Sequence, residues 1–287
     1  MMLRERAIGR AEARVVIAAL AAWTPAARTG GPLHPGDVGW FLRFEEQPVR
    51  SALRLWSDAS GPVAVGLLDG PVLRVGLAPR VAADPARAEA LAAAFDRAAG
   101  DGEAWCDLPE GSPVGGALRR LGWSADPDGQ WSVFVCDDVT APAGAGQRTL
   151  VVGEESAADR VAVHRAAFAG SSFTLARWRA MRGSAAAGLC VESLVTTPDG
   201  SPAAAATGWL AGAGRCGLLE PVGTHPDHRG HGYGRDAVLA VCARLRERGA
   251  GAVAVLTPST NTAAVALYRS AGFLEVARTR DFRRPAR

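Results

Sequence analysis

The chain has 287 residues, a length that suits two domains of ordinary size. Hydrophobic residues make up 48% and charged residues 21%, which speaks against a disordered chain, and a formal net charge of +3 is too small to argue for nucleic acid or a membrane surface as partner. The five Cys are odd in number and show no C-x-x-C, so neither a disulfide framework nor a zinc knuckle is suggested, which fits a reduced, cytoplasmic setting.

All 32 basic residues are Arg, and Ile is nearly absent. A GC-rich genome explains this more simply than dense phosphate recognition by Arg forks does. No stretch of 18 apolar residues appears, and the Arg-rich start has neither an apolar h-region nor a cleavage site.

In chain order, the periodicity predicts helices over 12–23 and 38–44 and strands over 53–56, 63–68 and 72–77. A helix over 85–99, a strand over 104–108, a helix over 113–121 and a strand over 131–136 follow. Residues 137–147 are rich in Pro, Gly and Ala and have no hydrophobic period, so they read as a linker. The expected division is therefore 1–138, a linker at 139–148, and 149–287.

The second half opens with a strand over 149–152 and a helix that Ser156 can cap, running to about Phe168. A helical piece over 174–181 comes next. Strands over 190–197 and 203–210 flank the turn Pro198-Asp199-Gly200. A strand over 217–224 leads into a glycine-rich loop and a helix from about 232 to 248. A buried strand over 252–257, a helix from Thr260/Asn261 to Ser270, and strands over 273–276 and 279–283 complete the chain.

The two halves share their order of elements. Val114-Gly115-Gly116-Ala117-Leu118-Arg119-Arg120-Leu121-Gly122-Trp123 parallels 264–273, and Pro79 parallels Pro226 at a similar distance upstream. They read as two copies of one fold.

The loop after Thr224 carries the chemistry. Gly230, Gly232 and Gly234 alternate in it, and it runs straight into a helix N-terminus. Unpaired N–H groups and the helix dipole there favour an anion, and glycine lets a ligand approach the main chain. A nest of N–H groups aimed at a pyrophosphate follows, with Arg229 and Arg235 adding charge.

Other readings fit less well. A dinucleotide fingerprint needs G-x-G-x-x-G spacing, and a P-loop needs a Lys that this chain lacks. His225, His228 and His231 recur every three residues, but Pro226 and the glycines make this a loop, and no carboxylate or Cys completes a metal set. A purely structural glycine-rich turn is the remaining alternative.

Arg229-Gly230-His231-Gly232-Tyr233-Gly234 resembles the R/Q-x-x-G-x-G/A signature of the GNAT superfamily of acyl-CoA-dependent N-acetyltransferases. Val222-Gly223-Thr224-His225-Pro226 resembles the end of that family's fourth strand, with Thr224 in place of the usual Val. Residues 261–273 resemble its second motif, N-x-x-A-x-x-L-Y-x-x-x-G-F. The resemblance covers roughly 149–283; for the first half it rests on element order.

The resemblance implies an α/β fold of the α+β type. Two GNAT-like domains would each hold a mixed, mostly antiparallel twisted sheet flanked by helices, with splayed fourth and fifth strands. It implies acetyl-CoA as acyl donor, no metal, a small-molecule amine as acceptor, and a monomer or homodimer. Val222, Gly223, Thr224, Arg229, Gly230, His231, Gly232, Tyr233, Gly234, Arg235, Asn261, Ala264 and Tyr268 are the expected cofactor contacts.

Tyr268 is the expected proton donor to the departing thiolate, and Glu220 the nearest acidic candidate for general base. His225 and His228 are alternative bases. Asn261 is either a cofactor contact or a helix cap, and Tyr268 and Pro221 also admit purely structural readings. Phe168, Phe173, Trp178 and Met181 read as core more than substrate wall. Residues 80–87 lack the alternating glycines, and Leu118 stands at the Tyr position, so the first half is expected to bind no acyl-CoA and to act as scaffold or acceptor wall. A non-catalytic acyl-CoA-binding module is the alternative function.

Overall fold

The computed structural model describes residues 3–25, 33–109, 112–137 and 149–287; the expected linker lies outside these. The first half contains β1 (Arg4–Ala7), α1 (Ala13–Trp23), α2 (Pro35–Phe41), α3 (Glu46–Ala52), β2 (Leu53–Asp58), β3 (Gly61–Asp69) and β4 (Val72–Leu77). It continues with α4 (Pro79–Ala82), α5 (Pro85–Ala98), β5 (Ala104–Pro109), α6 (Pro113–Arg120) and β6 (Ser124–Cys136). The second half contains β7 (Thr149–Val151), α7 (Ala157–Ala167), α8 (Leu175–Arg182), β8 (Cys190–Thr196), β9 (Pro202–Trp209) and β10 (Cys216–Thr224). Then follow α9 (Tyr233–Glu247), β11 (Ala252–Pro258), α10 (Thr262–Ser270) and β12 (Leu274–Arg284).

The internal repeat is visible in how helices end. Gly122 after α6 and Gly272 after α10 both take positive φ, +88° and +87°. The next amide bonds back into the helix in each case, Trp123 N–H to Leu118 O at 3.1 Å and Phe273 N–H to Tyr268 O at 3.0 Å. This is the same six-to-one closure, placed at equivalent residues.

Among the described residues the twelve strands form one sheet in the order β1-β2-β3-β4-β5-β12-β6-β11-β10-β9-β8-β7. The pairs β4–β5 and β10–β11 are parallel and the rest antiparallel. The last strand of each half lies inside the other half's sheet. β12 sits between β5 and β6, and β6 sits between β12 and β11. The exchange is reciprocal, as two copies of one fold joined through their final strands require.

This exchange corrects two sequence expectations. β6 begins at Ser124 rather than 131, because β12 pairs with Ser124 and Ala125 as well as with Gln130–Val135. Its turn-like stretch Asp126-Pro127-Asp128-Gly129 falls where the register jumps from Arg280↔Gln130 to Phe282↔Ala125. The two short strands expected over 273–283 are one strand with an irregularity between Glu275 and Ala277. β1 and α3 carried no periodic signal strong enough to be predicted.

Three main cores result. One joins both halves: Val38 and Phe41 of α2 pack with Trp178, Trp209 and Leu218 of the second half. The α2 backbone comes so near Trp209 that a Cβ on Gly36 or Gly39 would stand 2.4 or 2.5 Å from its side-chain atoms. His34 fastens the same contact. Burial pushes its pKa down, so the neutral ring accepts from Gly36 N–H at 2.9 Å and donates to Cys216 O at 3.0 Å. The second core lies under α5 and α6, the third under α9 and α10. All five cysteines are buried, and among the described residues none is in a disulfide. Among the described residues no helix is long and apolar enough to cross a membrane.

Candidate active site

Two strands open the site. β10 and β11 pair only at Cys216–Leu218 with Ala252–Ala254 and then part. On its other side β10 stays paired, Val222 to Ala206, Gly223 to Ala205 and Thr224 to Ala204, after a register shift between Leu219 and Val222. Pro221 sits in that shift and cannot donate to a ladder, which agrees with the irregularity there. The β11-facing edge of β10 beyond Leu218 therefore has no strand partner among the described residues.

Beyond β10 the chain makes one 3-10 turn over Pro226–His228 and enters α9. His225 Nδ1 accepts from Asp227 N–H at 3.3 Å and caps that turn. Gly230 and Gly232 take φ of +81° and +85°, where L side chains are strained, and open space surrounds both. Gly232 is the N-cap of α9 and brings no side-chain cap, so the first amides of the helix face that space. Gly234 is needed for contact: a Cβ there would stand 2.6 Å from Thr224 Oγ1.

A cavity of about 660 Å³ lies over this helix start. Of the expected contacts, Val222, Gly223, Thr224, Arg229, Gly230, Gly232, Tyr233, Gly234, Arg235, Asn261 and Ala264 line it. His231 is exposed and outside the lining, and His228 takes a place in it instead. Arg235 donates to Ser270 O at 2.8 Å, which ties the rim to the end of α10. Asn261 Oδ1 accepts from Ala264 N–H at 3.2 Å and so caps α10.

A second cavity of about 490 Å³ lies on the other side of the parted strands. Phe168, Val222, Asn261 and Ala264 belong to both walls, so the two spaces adjoin. Tyr268, which is 6% exposed, and Glu220 line the second cavity. Burial, with the nearby Glu220 carboxyl, pushes the Tyr268 phenol up, so it holds its proton at neutral pH. Of the apolar group near the start of the second half, Phe173, Trp178 and Met181 are core and Phe168 alone reaches the cavities.

The first half supplies much of the second cavity. Arg74 of β4, Asp107 of β5 and Trp131 of β6 stand in its wall, with Asp281 of β12. Arg74 bonds Asp37 at 2.8 Å and comes within 3.7 Å of Glu220. Burial would raise the Asp37 carboxyl, but the Arg74 guanidinium and a hydrogen bond from Glu220 hold it below the usual range. Burial and the Asp37 charge push Glu220 well up, so Glu220 carries the proton of this carboxyl pair. Burial pushes Asp107 up to about 7 against the pull of Arg74, and Asp281 and Asp37 add to the push.

Sequence reasoning did not find Arg74, Asp107, Asp281 or Trp131. The available signal was weak: one charged residue within each of the otherwise apolar runs Val72–Leu77 and Ala104–Pro109.

The first half has the same local plan without the opening. α5 has Asp84 as its N-cap, whose carboxylate accepts from Ala86 N–H at 3.0 Å, and Pro85 as its first residue. Its helix start thus carries its own anion and one amide fewer. Leu118, equivalent to Tyr268, is fully buried in the core.

Parted parallel strands, a glycine-rich helix start and a buried phenol thus meet where the two cavities adjoin. Residues 164–273 match the sequence model of the Acetyltransferase (GNAT) family. A mycothiol acetyltransferase of Thermobispora bispora is 47% identical over 60 residues, a stretch that covers 21% of this chain and 20% of that relative. The match thus spans about a fifth of the curated relative's length. The whole fold resembles a tandem GNAT protein from the clavulanic acid biosynthesis pathway, with a TM-score of 0.62 at 16% identity, covering 100% of this chain and 99% of the other. It also resembles a GCN5-related N-acetyltransferase of Sphaerobacter thermophilus, with a TM-score of 0.60 at 18% identity over 99% and 96% of the two chains. The fold is that of two GNAT-like domains.

Proposed function

We propose that this chain transfers an acetyl group from acetyl-CoA to a primary amine of a small molecule, by direct attack in a ternary complex. Acyl-CoA is the donor class of the family. The observation that carries the reading is the junction of the two cavities at the parted strands, with Tyr268 and Glu220 on the acceptor side.

The residues present fit the donor. Amides at the start of α9 would hold the pyrophosphate, with Arg229 and Arg235 beside them. The free edge of β10 at Val222, Gly223 and Thr224 would pair with the amides of the pantetheine arm. Acetyl-CoA, when bound, supplies the acyl group as a thioester.

Glu220 acts in its ionised form, after its proton has been released to solvent, and takes one proton from the attacking amine; Tyr268 donates one to the sulfur as the C–S bond breaks. A backbone N–H near Val222 would polarise the thioester carbonyl. Residues 1–138 are assigned the role of acceptor wall, with one acyl-CoA site per chain in 149–287.

A panel of amines read out by release of free CoA tests this. Turnover that is lost on blocking the α9 start supports the reading. CoA binding without turnover of any amine would point instead to a binding module, and absence of CoA binding would end both.

A further inference from the structure

Glu220 is held at both ends by contacts that begin on α2. Its carbonyl accepts from Trp209 Nε1–H at 2.7 Å, and the fully buried Trp209 ring lies against the bare α2 backbone at Gly36 and Gly39. Its carboxyl meets Asp37, which lies between those two glycines, in a hydrogen bond. Arg74 stands beside both acids, 2.8 Å from Asp37 and 3.7 Å from Glu220.

Asp37 owes its orientation to its place in the helix. It is the third residue of α2 and closes a capping box: Oδ2 accepts from His34 N–H, and Oδ1 accepts from Arg74. Its side chain is 2% exposed, whereas that of Glu220 keeps 29%, so of the two acids Glu220 is the one that can meet a substrate in the second cavity. A cap works as well at the surface, and burying its charge beside a second carboxyl is costly, so the burial points to a second task.

We propose that Asp37 of the first half is a positioning residue for the acyl transfer: it orients the Glu220 carboxyl that takes the amine's proton and places a fixed negative charge behind it. This rests on the acyltransferase reading above. A carboxylate with a second one behind it is a stronger base than a solitary one and better matched to an ammonium. The first half, whose own helix start is filled by Asp84, thereby acts on the chemistry of the second.

Other charged groups surround the pair. Arg43, just after α2, and Tyr268 of α10 interact with Glu220, and Asp69, Asp107 and Asp281 share the cavity wall. On α7, burial with the Arg160 and Arg43 charges pushes His164 down to about 3, so it is neutral, and Arg160 is bonded to Glu192. On α9, Arg235 is bonded to Ser270 O, and β9 and β11 carry no charged residue. All of these are the same in every variant below.

The test follows kcat/KM against pH for the full chain, Asp37→Asn and Asp37→Glu. Acetyl-CoA and the faster of n-butylamine and glycinamide are used throughout, so the amine's own ionisation is common to all profiles. Carbon-13 labelling of the glutamate carboxyls reads the Glu220 titration midpoint by NMR in the same proteins, its signal assigned by loss in Glu220→Gln. Asn keeps the shape of Asp37 without its charge. Asp37→Asn is expected to move the acid limb of kcat/KM and the NMR midpoint at least about one pH unit lower and to reduce kcat about tenfold, with KM for acetyl-CoA unchanged. Asp37→Glu, which keeps the charge, should leave both close to their wild-type positions. A purely structural cap would lower Tm and move neither, and that result overturns the inference while acyl transfer stands. A limb that falls as far in Asp37→Glu as in Asp37→Asn overturns it too. If the wild type turns over neither amine, the NMR midpoint decides alone: a lower one in Asp37→Asn supports the inference, an unmoved one overturns it, and the amine panel above decides the acyl-transfer reading separately. Should Asp37→Asn not fold, Asp37→Asn/Arg74→Met takes its place, since it removes the buried cation together with its partner. Asp37 acts on Glu220 more strongly than Arg74 does, so the midpoint should still fall, and an unmoved or raised one overturns the inference.

Discussion

Arg74 of β4 lies 3.7 Å from Glu220 of β10, although four strands separate β4 from β10 in the sheet. The middle of the sheet therefore curls until β4 and β10 face each other, and the second cavity is the space inside the curl. Arg74 also holds buried Asp37. Replacing Arg74 by Met leaves that carboxylate without its cation and should cost about 3–5 kcal/mol at pH 7. The sign with pH follows from the lowered Asp37 pKa. Its contribution is present above the unfolded value of 3.8 and is lost as pH falls through the folded one. Urea unfolding of both proteins at pH 7 and at pH 3 should show the difference shrinking in acid.

Asp107 behaves in the opposite sense. Its pKa is pushed up to about 7 from 3.8, so the fold favours the protonated acid, and stability drains away as pH rises from about 4 to 7. Asn mimics the protonated form. Asp107→Asn should raise Tm by roughly 5 °C at pH 8 and change it little at pH 4. Calorimetric scans at the two pH values check this, and an equal shift at both would be the contrary result.

Tyr268→Phe removes one hydroxyl from a ring packed near Phe134 and Phe273. If the phenol protonates the leaving thiolate, kcat should fall about 100-fold with CoA affinity unchanged. A variant with wild-type kcat would return Tyr268 to the core.

The start of α9 can be closed by a side chain. Gly232→Glu forces an L residue into φ near +85° and puts a carboxylate where an anion is to bind; Gly234→Glu drives a Cβ into Thr224. Each should weaken CoA binding by at least about 100-fold in calorimetry, with little effect on helix content by circular dichroism.

The exchanged strands make the halves interdependent. Without β6, residues 149–287 lose the strand that bridges β11 and β12. That fragment alone should show no cooperative thermal transition and no CoA binding, and separately expressed 1–137 should restore both. A fragment that melts cooperatively by itself would contradict this.

Local chemistry wrote much of the fold into the sequence. Gly122 and Gly272 announce the ends of α6 and α10 because only glycine takes positive φ without strain. Gly230 to Gly234 mark the anion-ready helix start for the same reason. α3 was hidden because its seven residues give too short a period to detect, and β1 because an edge strand of four residues shows no alternation. Ser124–Gln130 lay outside the expected strand because Pro127 and Gly129 interrupt its pattern, yet β12 pairs with both ends of that stretch.

The sequence by itself determined the second half: the order of its elements, the glycine-rich loop, and the place of Tyr268 one helix further on. These depend on spacings within a few residues, where backbone sterics and helix capping act. Only the tertiary structure decided the acceptor side. Arg74, Asp107, Trp131 and Asp281 are far apart in the chain and meet because each half lends its last strand to the other. A charged residue in an apolar strand says that something must satisfy it. Which residue does so is fixed by a register between strands that no local pattern encodes.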